Sequence, residues 1–367
     1  MPQLDALRAF AVSAVLIHHL FPMAHAVIGG LGGFIGVKLF FVLSGFLITR
    51  ILLDGRTAAA AVGPWRVARQ FYIRRSLRIF PLYYFVIALG LLVGLPAVRE
   101  ELWWLVTYTF NFRVALTGSW PRDISHFWTL AVEEQFYLVW PWVILLLPRR
   151  CLAPVTIAII FIGPAYRLLS LQLGFNGVAF YAATFSSFDA LGGGALLAIL
   201  SSQRDVRAVQ RVCRSYLLPI GLALFASLQL GDKLSILGNS LFLVFIDSAI
   251  VLVSVWLISG AASGFTGTVG RVLDFGPLRY CGGISYGLYV YHLLLYDVVY
   301  DFGVSLGASW QYGGYIAGAV ALLATLIVAA LSWHLMERPI NAMKDRFTYK
   351  DPAAIPASRL QATAPAA

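Results

Sequence analysis

Apolar residues in this chain run in long blocks, without the alternation of a half-buried strand. Each block approaches the roughly 20 residues needed to cross about 30 Å of hydrocarbon. They fall at 5–22, 33–53, 79–96, 125–147, 153–173, 178–200, 214–230, 236–259, 281–303 and 312–336. The pattern predicts an all-α fold: a polytopic transmembrane helical bundle of about ten spans with both termini cytoplasmic. Two connections have some size. Residues 54–78 are arginine-rich and are predicted to be cytoplasmic and partly helical; residues 97–124 are predicted to be external, with Trp103, Trp104, Tyr108 and Trp120 as an interfacial belt or a short re-entrant helix. Residues 1–349 read as one membrane-embedded domain, and the Ala- and Pro-rich stretch 350–367 as a disordered cytoplasmic tail. No internal repeat is evident.

Composition agrees. At 60% hydrophobic and 12% charged residues, with a mean hydropathy of +0.80, the chain is far from a soluble domain, where about a quarter of residues are charged. Lys and Arg concentrate in short cytoplasmic loops of membrane proteins. With both termini inside, 21 of the 27 basic residues are cytoplasmic, Arg99, Arg113, Arg122 and Lys233 are outside, and Lys38 and Arg167 lie within spans. Anionic headgroups therefore account for the net charge of +10, and no nucleic-acid partner is implied. The apolar run before Ala24-His25-Ala26 has the look of a signal peptide, yet a single Arg offset by Asp5 is a poor leader, and cleavage would put the termini on opposite sides. An intact first span is expected. Cys151, Cys213 and Cys281 fall at cytoplasmic span ends, so no disulfide is expected, and no Cys/His spacing suggests a metal site.

Against this apolar background, Arg8 and His19 in the first block stand out, because an ionisable group in hydrocarbon is costly and marks function by default. Eleven residues make three helical turns and about 20° more, so both side chains share one face, about 16 Å apart along the axis. Two aligned ionisable groups suggest a path through the bundle.

Four more segments depart from plain apolarity. In Phe40-Phe41-Val42-Leu43-Ser44-Gly45-Phe46-Leu47, two residues after Lys38, small residues at 44 and 45 permit close approach of a helix or a ligand. In Arg74-Arg75-Ser76-Leu77-Arg78-Ile79-Phe80-Pro81, guanidinium forks at three- and four-residue spacing suit phosphate, although positive-inside anchoring would produce the same residues. In Trp128-Thr129-Leu130-Ala131-Val132-Glu133-Glu134-Gln135-Phe136-Tyr137, Glu133 shares a face with Phe136 and Tyr137 while Glu134 points about 100° away; pairing with Lys38 or Arg167 is one structural use for these carboxylates. Ser285-Tyr286-Gly287-Leu288-Tyr289-Val290-Tyr291-His292 lines a span with hydroxyls and an imidazole, as either a polar cavity or interhelical hydrogen bonding would require.

In combination these motifs resemble acyltransferase family 3, integral membrane proteins that O-acylate bacterial cell-envelope glycans and related acceptors. The resemblance runs from Leu4-Asp5-Ala6-Leu7-Arg8-Ala9 to Met336-Glu337-Arg338-Pro339 and includes the R-x10-H pair, the Phe-Phe-x-x-Ser-Gly-Phe-Leu element at 40–47, the Arg-rich element at 74–81 and the W-x-L-x-x-E-x-x-F-Y element at 128–137. It singles out Glu133 over Glu134. One position departs: the family often has Arg two residues before the Asp of its D-A-L-x-x-G element, and Ser187 precedes Asp189 here.

The resemblance implies a multi-pass protein of the bacterial inner membrane that moves an acyl group, most often acetyl, from cytoplasmic acyl-CoA to a hydroxyl of an envelope glycan, exopolysaccharide or glycolipid. Acyl-CoA is then a co-substrate, and no permanently bound cofactor is implied. His19 and Glu133 become the catalytic pair, the imidazole as general base and the carboxylate as its orienter. Arg8, Arg74, Arg75 and Arg78 become the donor-binding cations, and Lys38, Ser44, Trp128, Tyr137, Tyr286 and His292 line the site. Trp103, Trp104, Tyr108, Asn111, Trp120 and His126 suit stacking on acceptor sugars. The product is released directly or handed to a separate periplasmic partner. A transporter or flippase of lipid-linked glycans would also need a polar cavity with buried charges. It has no reason to consume acyl-CoA, which separates the two readings.

Overall fold

The computed structural model describes residues 1–22, 32–234 and 239–347. Ala24-His25-Ala26 and the tail from residue 350 lie outside the described residues. The protein is an all-α membrane bundle, and among the described residues there is no strand. That is the expected outcome for a chain that has to satisfy its backbone hydrogen bonds within hydrocarbon.

In chain order the helices are α1 (Pro2–Leu20), α2 (Gly32–Val62), α3 (Pro64–Leu92), three short helices α4 (Pro96–Glu100), α5 (Leu102–Val106) and α6 (Phe110–Thr117), then α7 (Phe127–Leu146), α8 (Arg149–Gln172), α9 (Gly177–Ala182) and α10 (Phe188–Gln203). They continue with α11 (Val206–Val212), α12 (Leu218–Lys233), α13 (Asn239–Ser263), α14 (Gly267–Leu273), α15 (Gly276–Gly283), α16 (Ser285–Ser305), α17 (Tyr315–Ser332) and α18 (Arg338–Ala342). Seven segments of this set are long and apolar enough to cross a membrane. Helices α1, α7 and α16 have a similar length but are diluted by Asp5, Arg8, His18 and His19, by Glu133, Glu134 and Gln135, and by His292, Asp297 and Asp301 respectively. The helices closest to too polar for a bilayer are thus the ones on which the sequence places candidate chemistry.

Two connections are helical. The arginine-rich stretch 54–78, expected to be partly helical, is helical almost throughout. It is the end of α2 and the start of α3, which meet at Gly63, where φ is +83° and Pro64 opens the next helix. Glycine tolerates this left-handed turn, and proline at the first helical position loses no hydrogen bond there. Residues 96–117 fold as α4, α5 and α6, pinned by Gln135, whose amide donates to the Tyr108 carbonyl and to Asn111 Oδ1, both at 2.8 Å.

Helix α2 is the central post, packed against α1, α3, α7, α10 and α13. Its crossing with α10 is an approach of backbone on backbone. A Cβ on Gly45 would sit 2.0 Å from the Leu191 carbonyl oxygen, and one on Gly194 would sit 1.9 Å from that of Val42. The small residues at 44 and 45 therefore serve helix contact through Gly45. Nearby, four helices are tied by buried charge: Lys38 Nζ (α2) lies 2.8 Å from Asp247 Oδ2 (α13), and Arg167 (α8) lies 2.6 Å from Asp189 Oδ2 (α10) and 3.5 Å from Asp247 Oδ2. Arg167 also donates to the carbonyls of Val244 and Ser186 at 2.8 and 2.6 Å. The guanidinium absent two residues before Asp189 in sequence is thus supplied from another helix.

Gly194→Val is expected to force α2 and α10 apart at a cost of about 1–3 kcal/mol. Arg167→Met strands Asp189 and Asp247 without their shared cation and is expected to cost about 3–5 kcal/mol. Melting of the purified variants in detergent checks both, Arg167→Met being the more damaging.

Candidate active site

A cavity of about 120 Å³ runs between α1, α2, α3, α7 and α16. Helical rise sets its axis. Along α7, Thr129, Glu133 and Tyr137 descend one turn at a time, and along α16 Tyr289, Tyr286 and Ser285 descend in parallel. At the lower end stand Arg8, Arg75 and Arg78; in the middle stand Glu133, Glu134, Ser44 and Tyr137; at the upper end stand Thr129 and Tyr289. Val37, Phe40, Phe41, Leu43 and Leu47 of α2 make one wall apolar. The slot can take a ligand that is anionic at one end and slender and apolar beyond it.

Electrostatics inside the slot are left incomplete. Arg8 is paired with Asp5 at 2.5 Å, and the Arg75 guanidinium lies over the Tyr137 ring at 5.5 Å from its centroid. Glu133 sits against the hydroxyls of Ser44 and Tyr137 in the field of Arg75 and Arg8, and those two hydroxyls hydrogen-bond to each other. Glu134 Oε1 is buried without a hydrogen-bond partner among the described residues. Three guanidinium groups and two carboxylates thus face a space that no side chain fills.

Above the slot the imidazoles converge. His19 Nδ1 lies 2.8 Å from His292 Nε2, the rings 5.0 Å apart and nearly parallel at 20°. His292 Nδ1 lies 2.6 Å from the carbonyl of Tyr289, one helical turn back. His126, at the entry to α7, packs edge-on against His292 at 4.7 Å and reaches the Val290 carbonyl at 3.1 Å. Tyr289 and Thr129 separate this cluster from the slot: their hydroxyls are 2.6 Å apart and lie 3.0 and 3.1 Å from the His126 carbonyl, so that one hydroxyl donates to the carbonyl and the other to its neighbour. His292 is 0% exposed, whereas His19 is half-buried.

Several expected residues are found together. Arg8, Arg75, Arg78, Ser44, Glu133, Tyr137 and Tyr286 all line the slot, and His19 meets His292. Others are placed elsewhere. Lys38 is not a slot residue, since Asp247 holds it in the buried charge cluster. Arg74 turns to the chain end and donates to the carbonyls of Lys344 and Phe347 at 3.0 and 2.9 Å. Trp128 packs between Phe41 and Trp120. The neighbour of the His19 ring is His292, while Glu133 lies on the slot with Ser44 and Tyr137.

The external aromatics divide. Trp103 is 79% exposed, whereas Tyr108 is buried and stacks on Tyr83 at 4.3 Å, and Asn111 is buried beneath Ala182 and Thr184. Sequence reasoning placed Tyr289 and Thr129 in singled-out segments without naming them as site residues, and passed over Asp247. Tyr289 carried a signal, lying three residues before His292 on the same helical face; Asp247, inside a very apolar block, had no partner visible nearby in sequence.

Comparison with known proteins adds to this geometry. A family profile described as an acyltransferase domain matches residues 1–334. Peptidoglycan O-acetyltransferase OatA of Listeria monocytogenes is 27% identical over 379 residues, covering 93% of this chain and 56% of that protein. O-acetyltransferase OatA of Staphylococcus aureus is 26% identical over 372 residues, covering 93% of this chain and 57% of that protein. The chain therefore spans about half the length of the curated relatives it matches. No solved structure matches it. With its R-x10-H pair, its arginine-mouthed slot and a family match along nearly all the described residues, the chain belongs to acyltransferase family 3.

Proposed function

We propose that this protein is an O-acetyltransferase of the bacterial inner membrane that carries an acetyl group from cytoplasmic acetyl-CoA to a hydroxyl of an envelope glycan, peptidoglycan being the acceptor suggested by the names of its relatives. The observation that carries the reading is one slot with guanidinium groups at one end and, behind a single layer of hydroxyls at the other, an imidazole pair. Phosphates of the donor bind Arg8, Arg75 and Arg78, for which guanidinium forks are well shaped. The pantetheine arm then lies along the apolar wall of α2 and brings the thioester toward His19, about 16 Å from Arg8 along α1. For the acyl group to arrive, the Thr129–Tyr289 hydroxyl pair has to part.

The reaction needs one base. His19 takes the proton of the acceptor hydroxyl as its oxygen attacks the thioester carbonyl; the C–S bond breaks, and the thiolate leaves as CoA and recovers the proton from His19. Glu133 acts lower in the slot, where its charge offsets part of the arginine cluster and keeps the Ser44 and Tyr137 hydroxyls oriented. Support comes from the family membership and from the pairing of a one-sided cationic mouth with a proton-accepting group, which a flippase has no need to combine.

Two outcomes are expected from purified protein given acetyl-CoA and soluble peptidoglycan fragments. His19→Ala should lower the transfer rate by about 10²-fold or more while inserting and eluting as the parent does; parental activity in that variant rejects His19 as the base. Arg75→Ala should raise the donor KM by about tenfold or more, the loss of a charge-assisted hydrogen bond, with the acceptor KM unchanged. Mass spectrometry of envelope glycans from cells with and without the protein tests the function itself, since an unchanged acetyl content would refute it.

A further inference from the structure

Of the two carboxylates on the slot, Glu133 has donors of its own in the hydroxyls of Ser44 and Tyr137. Glu134, one residue on and about 100° round the helix, has none: its Oε1 is buried without a hydrogen-bond partner among the described residues. Four tyrosines stand in its field. Tyr83, Tyr84 and Tyr286 give their hydroxyls to the carbonyls of Leu105, Val106 and Ile79, at 2.8, 3.1 and 2.9 Å. The hydroxyl of Tyr108, a ring held by stacking on Tyr83, makes no hydrogen bond among the described residues either. A buried oxygen left without a donor is costly, and this residue borders space that no side chain fills. The missing hydrogen has to come with the ligand.

Its place along the slot narrows the donor group. Glu134 lies about 7.5 Å of helical rise below Thr129, between the arginine end and the hydroxyl wall. A CoA thioester laid along the slot puts its phosphates, which accept from guanidinium groups, at the one end and its acyl group at the other. The pantetheine arm between them carries two secondary amides, each with an N–H. Phe40, Phe41 and Leu43 on the α2 wall offer those N–H groups nothing to bond.

We propose that Glu134 is a specificity residue for the donor: its Oε1 accepts an amide N–H of the pantetheine arm, so that the slot selects an amide-bearing thiol carrier over a plain thioester. The inference rests on acyl-CoA being the donor. An aliphatic thioester without amides would leave the Glu134 oxygen stranded, and a site built to hydrogen-bond an N–H strongly rejects the analogue that lacks it.

The probe is acetonyl-CoA, a thioether that fills the donor space and cannot transfer, titrated into the full chain in nanodiscs. It is compared with two versions in which one or the other amide N–H is replaced by an ester oxygen, and with adenosine 3′,5′-bisphosphate as the nucleotide end without the arm. The parent should bind one of the ester versions about tenfold or more weaker than acetonyl-CoA, the loss expected for a hydrogen bond to a carboxylate. In Glu134→Leu that difference should vanish, with acetonyl-CoA weakened to the level of the ester. The bisphosphate should bind Glu134→Leu as tightly as the parent or more tightly, since an acid has been taken from beside the guanidinium groups. A Gln carbonyl still accepts, though less strongly than a carboxylate, so Glu134→Gln should keep only part of the discrimination, a reading that stands even where Glu134→Leu does not fold.

Equal binding of acetonyl-CoA and both ester versions by the parent overturns the proposal, as does discrimination that persists in full in either variant. A parent that binds no acetonyl-CoA removes the acyl-CoA reading and this inference with it. A parent that binds it without sensing the esters removes the inference alone, so the two failures are distinguishable.

Discussion

Charge inside a bilayer has to be compensated within the protein, because no water is at hand to do it, and the chain meets this constraint in two contrasting ways. In the cluster of Lys38, Asp247, Arg167 and Asp189, cations and carboxylates are matched in number, all four are nearly inaccessible, and Arg167 places its remaining donors on carbonyls. Around the slot the match is left open, with Arg8, Arg75 and Arg78 facing Glu133 and Glu134 across empty space. A closed set can only hold helices together, and this one ties α2, α8, α10 and α13. An open set, here placed among α1, α3 and α7, retains the capacity to bind an anion.

The closed cluster also explains how the open one is tolerated. Helices α1, α7 and α16 are diluted by the polar groups they display, and lipid alone would not retain them well. They are held by neighbours instead: Trp140 of α7 donates its indole N–H to Thr49 of α2 at 2.7 Å, and Tyr286 of α16 donates to the Ile79 carbonyl of α3 at 2.9 Å. Helix α2, welded to α10 through Gly45 and Gly194 and to α13 through Lys38, is the rigid member against which the polar helices lean.

Much of this was legible in the sequence, and the limits have physical causes. Apolar blocks mark spans because hydrocarbon thickness sets a length, and the R-x10-H spacing marks one face because helical periodicity does. Both are local rules. Pairings between distant helices obey no local rule: nothing near Lys38 announces Asp247, and nothing near His19 announces His292. Charge type alone grouped Lys38 and Arg74 with the slot cations, whereas Lys38 is set against Asp247 and Arg74 against the carbonyls of Lys344 and Phe347, since a cation in or beside a span can serve a carboxylate or a backbone end as well as a ligand. The stretch 54–78, expected to be partly helical, is helical almost throughout. Arginine favours helix as readily as it favours the cytoplasm, so a basic stretch lengthens two helices until Gly63 and Pro64 interrupt them.

The slot stops one layer short of His19, and that layer is informative. Thr129 and Tyr289 close it with hydroxyls in contact with each other, one of which donates to the His126 carbonyl, while the carbonyl of the same Tyr289 anchors His292. One residue thus forms the wall of the slot with its side chain and the floor of the imidazole pair with its backbone. If acyl transfer is the function, the base is kept out of reach of an arriving thioester until that wall moves, and a base kept from the thioester cannot deliver water to it. Because the carbonyl belongs to the helix and the hydroxyl to a rotatable side chain, Tyr289 can open the wall without disturbing the contact between its carbonyl and His292.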